Sequence, residues 1–277
     1  MTAALILSLV VGSPPEPDSR LLTLKVGRLT RTAVVFAPAE KSRSGSPVVI
    51  AFHGHSGSGS DFATKTNLAA LWPEAYVIFP DGLKTPSPGD PAGEDAGWQH
   101  DVGDQDDRDL RLFDALVKQF THSARKGRAQ RVYVVGFSNG ARFGYLLWSV
   151  RSRDIAAVAV AAGTCMSNDT CQSLPPRPAM LIYGTGDPRC KYPSAVKTID
   201  AVLHANKSKL GLSEREPDPA LHVEEAEHGF TGWALRPNAG LFRGGVGGAD
   251  TLVIVHPEGH SWQKDRSPDV VRFFKEH

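Results

Sequence analysis

The feature that most constrains the fold is an alternation of short, nearly continuous apolar runs with stretches of helical period. Eight β-type runs recur: Leu21–Val26, Thr32–Phe36, Val48–Phe52, Tyr76–Phe79, Val132–Val135, Ile155–Ala161, Ala179–Tyr183 and Thr251–His256. Several lack the polar residue at every second position that a half-solvated strand shows, so they read as strands covered on both faces. Between them lie segments of helical spacing: Asp61–Leu71, Asp107–Phe120, Asn139–Val150, Ser194–His204 and Pro268–Glu276. Strand alternating with helix predicts an α/β protein: a mainly parallel central sheet of about eight strands, flanked by helices. No polar linker divides residues 21–277, which are expected to form one domain. Two stretches fit this scheme less well. Leu83–Gly97, rich in Pro, Gly and Asp, reads as a loop. Lys207–Asp250 has Gly and Pro throughout, with a candidate hairpin around Phe230–Trp233.

A net charge of +1 supplies no field that would gather DNA, RNA or anionic lipid, so nucleic-acid binding is not expected. No apolar run reaches the roughly 18 residues of a membrane-spanning helix. Ala3–Gly12 has the length of a signal-peptide core and is followed by the Pro-rich Ser13–Pro17, although the first cation is Arg20. Residues 1–20 are therefore expected to be an export signal and linker. The three cysteines, Cys165, Cys171 and Cys190, cannot all pair. In an exported protein Cys165 and Cys171, six positions apart, are the expected disulfide.

One serine lies where an apolar run changes character. In Val134-Val-Gly-Phe-Ser-Asn-Gly-Ala141 the residues before Gly136 suit a strand and those after Gly140 suit a helix. The pattern Gly136-x-Ser138-x-Gly140 reads as a sharp turn that lifts a hydroxyl clear of the sheet. Side chains two positions away would collide there, hence glycine on both sides. The plainer role is a serine capping a helix. A hydroxyl becomes a useful nucleophile only when a base takes its proton and an acid orients the base. Met180–Asp187 is a strand ending in a Gly-rich turn that delivers Asp187, and Leu252–His260 is a last strand whose turn delivers His260. Ser138, Asp187 and His260 are thus the expected catalytic triad. His256 is the rival base but should still be on its strand, pointing inward. Asp200, on a helix, and Asp250, ahead of its strand, are the weaker acids.

The loop after the third strand runs His53-Gly-His-Ser-Gly-Ser-Gly-Ser60. The backbone N–H groups of His55 and Asn139 are the expected oxyanion hole. Gly54-x-x-x-x-Gly59 has phosphate-loop spacing, yet Ser60-Asp61 stands where Lys and Ser/Thr would be needed. Zinc is not expected, because Pro257 and Gly259 break the helix that would pair His256 with His260. The acidic run Asp101–Asp109 lacks the EF-hand order, and Asp106 or Asp107 is expected to cap the helix beginning there.

These residues resemble a known group, the α/β-hydrolase esterases of the polyhydroxybutyrate depolymerase and feruloyl esterase type. The likeness runs through His53-Gly54, Phe79-Pro-Asp-Gly82, Gly97-Trp98, Arg131–Gly140, Asp187 and Gly259-His-Ser-Trp262. Ala141 and Gln263 depart from it, standing where the group has Gly and Pro. The resemblance implies an α/β-hydrolase fold and a secreted or periplasmic serine esterase acting on carboxylic esters, without metal or organic cofactor. An inactive binding module, and a peptidase or thioesterase of the same fold, are the alternatives. Only Ala162–Pro178 separates two strands where a cap domain would be inserted, so no large cap is expected, and an open site unless Lys207–Asp250 folds across it. Trp98 and Trp262 are the candidate substrate-stacking aromatics, with core packing as their alternative role.

Overall fold

The apolar runs become the strands of a single sheet. The computed structural model describes residues 18–39, 45–121, 131–165, 171, 173–208, 222–225, 231–236 and 239–277. The candidate export segment, Ala3–Gly12 with Ser13–Pro17, lies outside them. The strands are β1 (Ser19–Val26), β2 (Leu29–Phe36), β3 (Val48–Phe52), β4 (Tyr76–Pro80), β5 (Val132–Phe137), β6 (Ala157–Ala161), β7 (Ala179–Gly184), β8 (His222–Glu225), β9 (Thr231–Arg236), β10 (Ala239–Phe242) and β11 (Thr251–His256). Their order across the sheet is β1-β2-β4-β3-β5-β6-β7-β11-β10-β9-β8.

From β4 to β11 neighbouring strands are parallel. Both margins are antiparallel. Strands β3, β6, β7 and β11 are buried along their whole length, as their continuous apolar sequences require.

All eight expected strands are present, but the count of eight is corrected to eleven. The three additional strands all lie in Lys207–Asp250 and extend the sheet as an antiparallel meander beyond β11. Pieces such as His222-Val-Glu-Glu225 are short and polar, so no apolar period marks them. The hairpin expected around Phe230–Trp233 is displaced: Thr231 already pairs with Glu225, and residues 226–230 lie outside the described set. The expected loop Leu83–Gly97 closes at its ends into a small ribbon, with Leu83 opposite Gly97 and Lys84 opposite Ala96.

Helices α1 (Gly59–Thr66), α2 (Leu68–Leu71), α3 (Arg108–Thr121), α4 (Asn139–Arg151), α5 (Tyr192–Ala205) and α6 (Ser267–Glu276) cover the sheet. The single helix expected over Asp61–Leu71 is broken at Asn67, whose φ of 54° is left-handed and whose N–H closes on Ala63 O. Asn tolerates that conformation better than most residues. Along β3 the side chains alternate between two cores. Val48, Ile50 and Phe52 join Phe113, Phe143, Trp148 and Ile199 under α3, α4 and α5. Val49 and Ala51 join Phe62, Leu68 and Phe274 under α1, α2 and α6.

The start of α3 corrects the expected cap. Gln99 Oε1 accepts from the N–H groups of Asp109 (3.1 Å) and Leu110 (3.2 Å). The Asp109 carboxylate reaches back to Gln99 N–H at 2.9 Å and accepts from Arg31 at 2.8 Å. Asp107 instead accepts from Gly103 N–H and Gln99 Nε2, and Asp104 from the N–H groups of His100 and Asp101. The acidic run thus spends these carboxylates on folding its own turn. Arg31 and Asp109 both have fully buried side chains, so each charge depends on the other. Asp109→Ala is expected to destabilise the fold by about 3–5 kcal/mol, because it strands the Arg31 cation and leaves the buried Gln99 N–H without its acceptor. Urea unfolding monitored by circular dichroism measures this, and a loss below about 1 kcal/mol contradicts the reading.

Candidate active site

Strand β5 ends at Phe137 and α4 begins at Asn139, leaving Ser138 alone in the turn. Its backbone, at φ 54° and ψ −114°, lies outside the regions L-residues favour. The chain holds it there by close packing. A Cβ on Gly136 would lie 2.4 Å from Gly140 O, and one on Gly140 would lie 2.1 Å from Phe52 O. Ser138 N–H bonds to Ala161 O at 2.9 Å, and Ser138 O accepts from Ala141 and Arg142. Behind the turn, Tyr183 OH donates to Gly163 O at 2.9 Å and pairs with Tyr145 OH. Gly163 in turn lies against Ser138 O.

The three residues named from the sequence converge on this turn. Ser138 Oγ lies 2.7 Å from His260 Nε2, and His260 Nδ1 lies 2.7 Å from Asp187 Oδ2. Asp187 follows β7 and is 5% exposed. Its other oxygen accepts from the N–H groups of Arg189 and Cys190, both at 2.8 Å. With both carboxylate oxygens fixed, Nδ1 of His260 is the donor and Nε2 is left to accept the serine proton. The Phe137 ring flanks the imidazole, 5.2 Å between centroids.

His256, the rival base, is 4% exposed, packs over Gly184 and has Nδ1 2.7 Å from Glu258. Asp200 is on α5, and Asp250 pairs with Arg243.

Opposite the serine runs the His53–Ser60 loop. A Cβ on Gly54 would sit 3.4 Å from Ser138 Cβ, so the two backbones are neighbours. His53 is buried as a strut. Gly82 N–H donates to its Nε2 at 2.9 Å, and its Nδ1–H meets Gly54 O at 2.7 Å. Burial pulls its pKa below the ordinary histidine value, in keeping with a neutral ring. The N–H groups of Ser56 and Gly57 are used by Ala96 O and Gly54 O. Among the described residues no hydrogen bond uses the N–H of His55 or of Asn139. The Asn139 side chain is a strap: its Oδ1 accepts from Trp98 N–H at 2.7 Å, and its Nδ2 donates to His100 Nε2 at 2.8 Å.

The aromatic assignments change. Trp98 is fully buried, stacked on Phe143 and donating from Nε1 to His53 O at 2.8 Å, so it is a core residue and not a substrate platform. An indole N–H with a buried carbonyl acceptor packs inside at little cost. Trp262 is half-buried, edge-on to Phe62, with its N–H on Ser267 Oγ. Phe137 and Arg142 escaped the sequence reading. The signal for Arg142 is a cation within the apolar first turns of α4.

His55, Asp90 and Asp95 bring possible metal-ligand atoms within 4.8 Å of one another. Asp90 already accepts from the N–H groups of Gly93 and Asp95 and meets His55 Nε2 at 3.1 Å, so this carboxylate serves its own turn.

No family model and no curated protein sequence matches the chain. Solved structures do. An acetyl xylan esterase from Aspergillus awamori has a TM-score of 0.63 at 13% identity, over 94% of this chain and 100% of that one. A Bacillus cereus carboxylesterase gives 0.55 at 14%, over 89% and 94%. A Pyrococcus furiosus esterase gives 0.58 at 13%, over 94% and 93%. The chain has the α/β-hydrolase fold. At these identities the likeness is one of fold, and chemistry has to be argued from the site.

The turn's dependence on glycine can be measured. Gly140→Ala places a methyl group 2.1 Å from Phe52 O, where backbone cannot yield. The unfolding free energy is expected to fall by about 3 kcal/mol, at the upper end of overpacking costs. A change within about 0.5 kcal/mol contradicts this account of the turn.

Proposed function

We propose that the protein is a serine carboxylesterase working through an acyl-enzyme. The observation that carries the reading is the continuous relay Ser138–His260–Asp187, with both contacts at 2.7 Å, on a strained turn. As Ser138 Oγ attacks the ester carbonyl, its proton passes to His260 Nε2. Asp187 stabilises the resulting imidazolium and keeps the ring in register. The imidazolium then protonates the departing alcohol. Water, deprotonated by the same nitrogen, releases the acid and restores the serine. The N–H groups of His55 and Asn139 would receive the negative charge of the tetrahedral intermediate. Their unused hydrogen-bonding capacity beside Ser138, and the positive end of α4, support that role.

The esters are bulky: aryl or polymer-linked, of the feruloyl, acetyl-polysaccharide or polyhydroxyalkanoate kind. Ser138 remains partly exposed, and β8, β9 and β10 lie at the sheet margin beyond β11 instead of over β5. The esterase and acetyl xylan esterase neighbours agree with ester chemistry. A binding module with no catalysis would have little reason to hold the relay and the strained turn together.

Ser138→Ala is expected to lower kcat on chromogenic esters by about 10⁶-fold, His260→Ala by nearly as much, and Asp187→Ala by about 10⁴-fold. His256→Ala should stay active. A Ser138→Ala protein keeping a tenth of its activity, or a dead His256→Ala beside an active His260→Ala, overturns the assignment.

We place the protein outside the cytoplasm, where Cys165 and Cys171, free thiols in this structure, would be joined. Their thiols lie within hydrogen-bonding reach of each other, whereas burial pushes the Cys190 thiol up to about 12 and leaves it inert. Mass spectrometry of unreduced peptides from the secreted protein should find the 165–171 bridge, and a bridge to Cys190 refutes it.

A further inference from the structure

Arg142 lies four residues beyond Ser138 on α4, with its N–H on Ser138 O at 3.1 Å. Ser138 itself is not helical, at φ 54° and ψ −114°, and Arg142 lies in the first turn of the helix that starts after it. Its guanidinium is near enough to act on His100, whose Nε2 meets the Asn139 side chain, and on Cys190, whose N–H bonds to Asp187, so it stands beside the relay.

It is half-buried, yet among the described residues its guanidinium makes no hydrogen bond and no ion pair. Other arginines differ: Arg31 has Asp109, Arg151 has Asp114, Arg177 has Ser152, and Arg108 has Thr85 and the Lys84 carbonyl. Burial lowers the pKa of Arg142, and among the described residues only the Cys190 thiol acts against that. Cys190 belongs to the Asp187 turn, and its own raised pKa keeps it uncharged. On another side is His100, whose pKa is lowered by its burial and by this cation. Neither neighbour supplies a negative charge.

A half-buried cation without a counter-ion is costly unless something pairs with it in use. A guanidinium presents a planar fork of donors that matches a carboxylate. We propose that Arg142 is a specificity-determining residue that binds a carboxylate on the ester substrate. The preferred substrates are then esters bearing an anionic group a few bonds from the scissile carbonyl, on either the acyl or the alcohol side. This inference rests on the serine-esterase reading above.

Two matched pairs of esters test it. Mono-4-nitrophenyl glutarate against 4-nitrophenyl valerate places the charge on the acyl side. 4-Acetoxybenzoate against its methyl ester places it on the leaving group. Wild-type protein should prefer the anionic member of at least one pair, and that pair identifies the side. Arg142→Gln should lower kcat/KM for that anion by about 10- to 100-fold, largely through KM, and leave the neutral partner within about threefold. Arg142→Lys should retain part of the preference. Equal losses on charged and neutral esters, or no preference in wild type for either pair, overturn the proposal. A fluorophosphonate separates the two levels. Labelling of Ser138 without charge discrimination removes only the Arg142 role. No labelling together with no ester turnover removes the esterase reading and this inference with it.

Discussion

The backbone of Gly140 passes so close to Phe52 O that a methyl group would overlap it at 2.1 Å, and the candidate active site depends on that contact. It brings the first turn of α4 down onto the end of β3. The serine between β5 and α4 is thereby forced to φ 54° and its hydroxyl raised above the sheet. The same approach carries the His53–Ser60 loop alongside Ser138. A strained residue persists only where its surroundings over-determine it. Here the surroundings are β3 and the loop after β6, with the two buried tyrosines behind that loop.

The partners are delivered by topology. Parallel neighbours β5, β6, β7 and β11 all end on the same side, so the loops after β7 and β11 bring Asp187 and His260 to the serine from distant positions in the chain. Each residue is then locked locally. Asp187 is held by two backbone amides, Asn139 is strapped to the Trp98–His100 segment, and His53 is wedged between Gly54 and Gly82. Preorganisation of this kind lets the groups act without rearranging when charge develops.

What was legible in the sequence follows from these constraints. Continuous apolar runs of five or six residues are too short for most buried helices and read as doubly covered strands, so β3, β6, β7 and β11 were readable, as was the glycine-flanked serine between strand and helix. Asp187 and His260 were readable because each follows a strong strand after a short turn. The meander β8–β10 was not, because its strands are short, with four, six and four residues, and are defined by pairing and not by period. Asn67 split a helix through a left-handed residue that no apolar spacing marks. The cap of α3 was assigned to a nearby aspartate, whereas Gln99 reaches it from the preceding loop. Trp98 looked available for ligand because it falls in a loop expected near the catalytic face. Its burial depends on Phe52, His53 and Phe143, which are remote in sequence.

The central claim is that an ester's acyl group passes through Ser138. Acid-quenching the protein within milliseconds of mixing with a 4-nitrophenyl ester, followed by peptide mass spectrometry, tests it most directly. The account predicts one acyl adduct, on the peptide containing Ser138, formed in step with a burst of nitrophenol. Steady turnover with the adduct on another residue, or with a burst that leaves Ser138 unmodified, would contradict it.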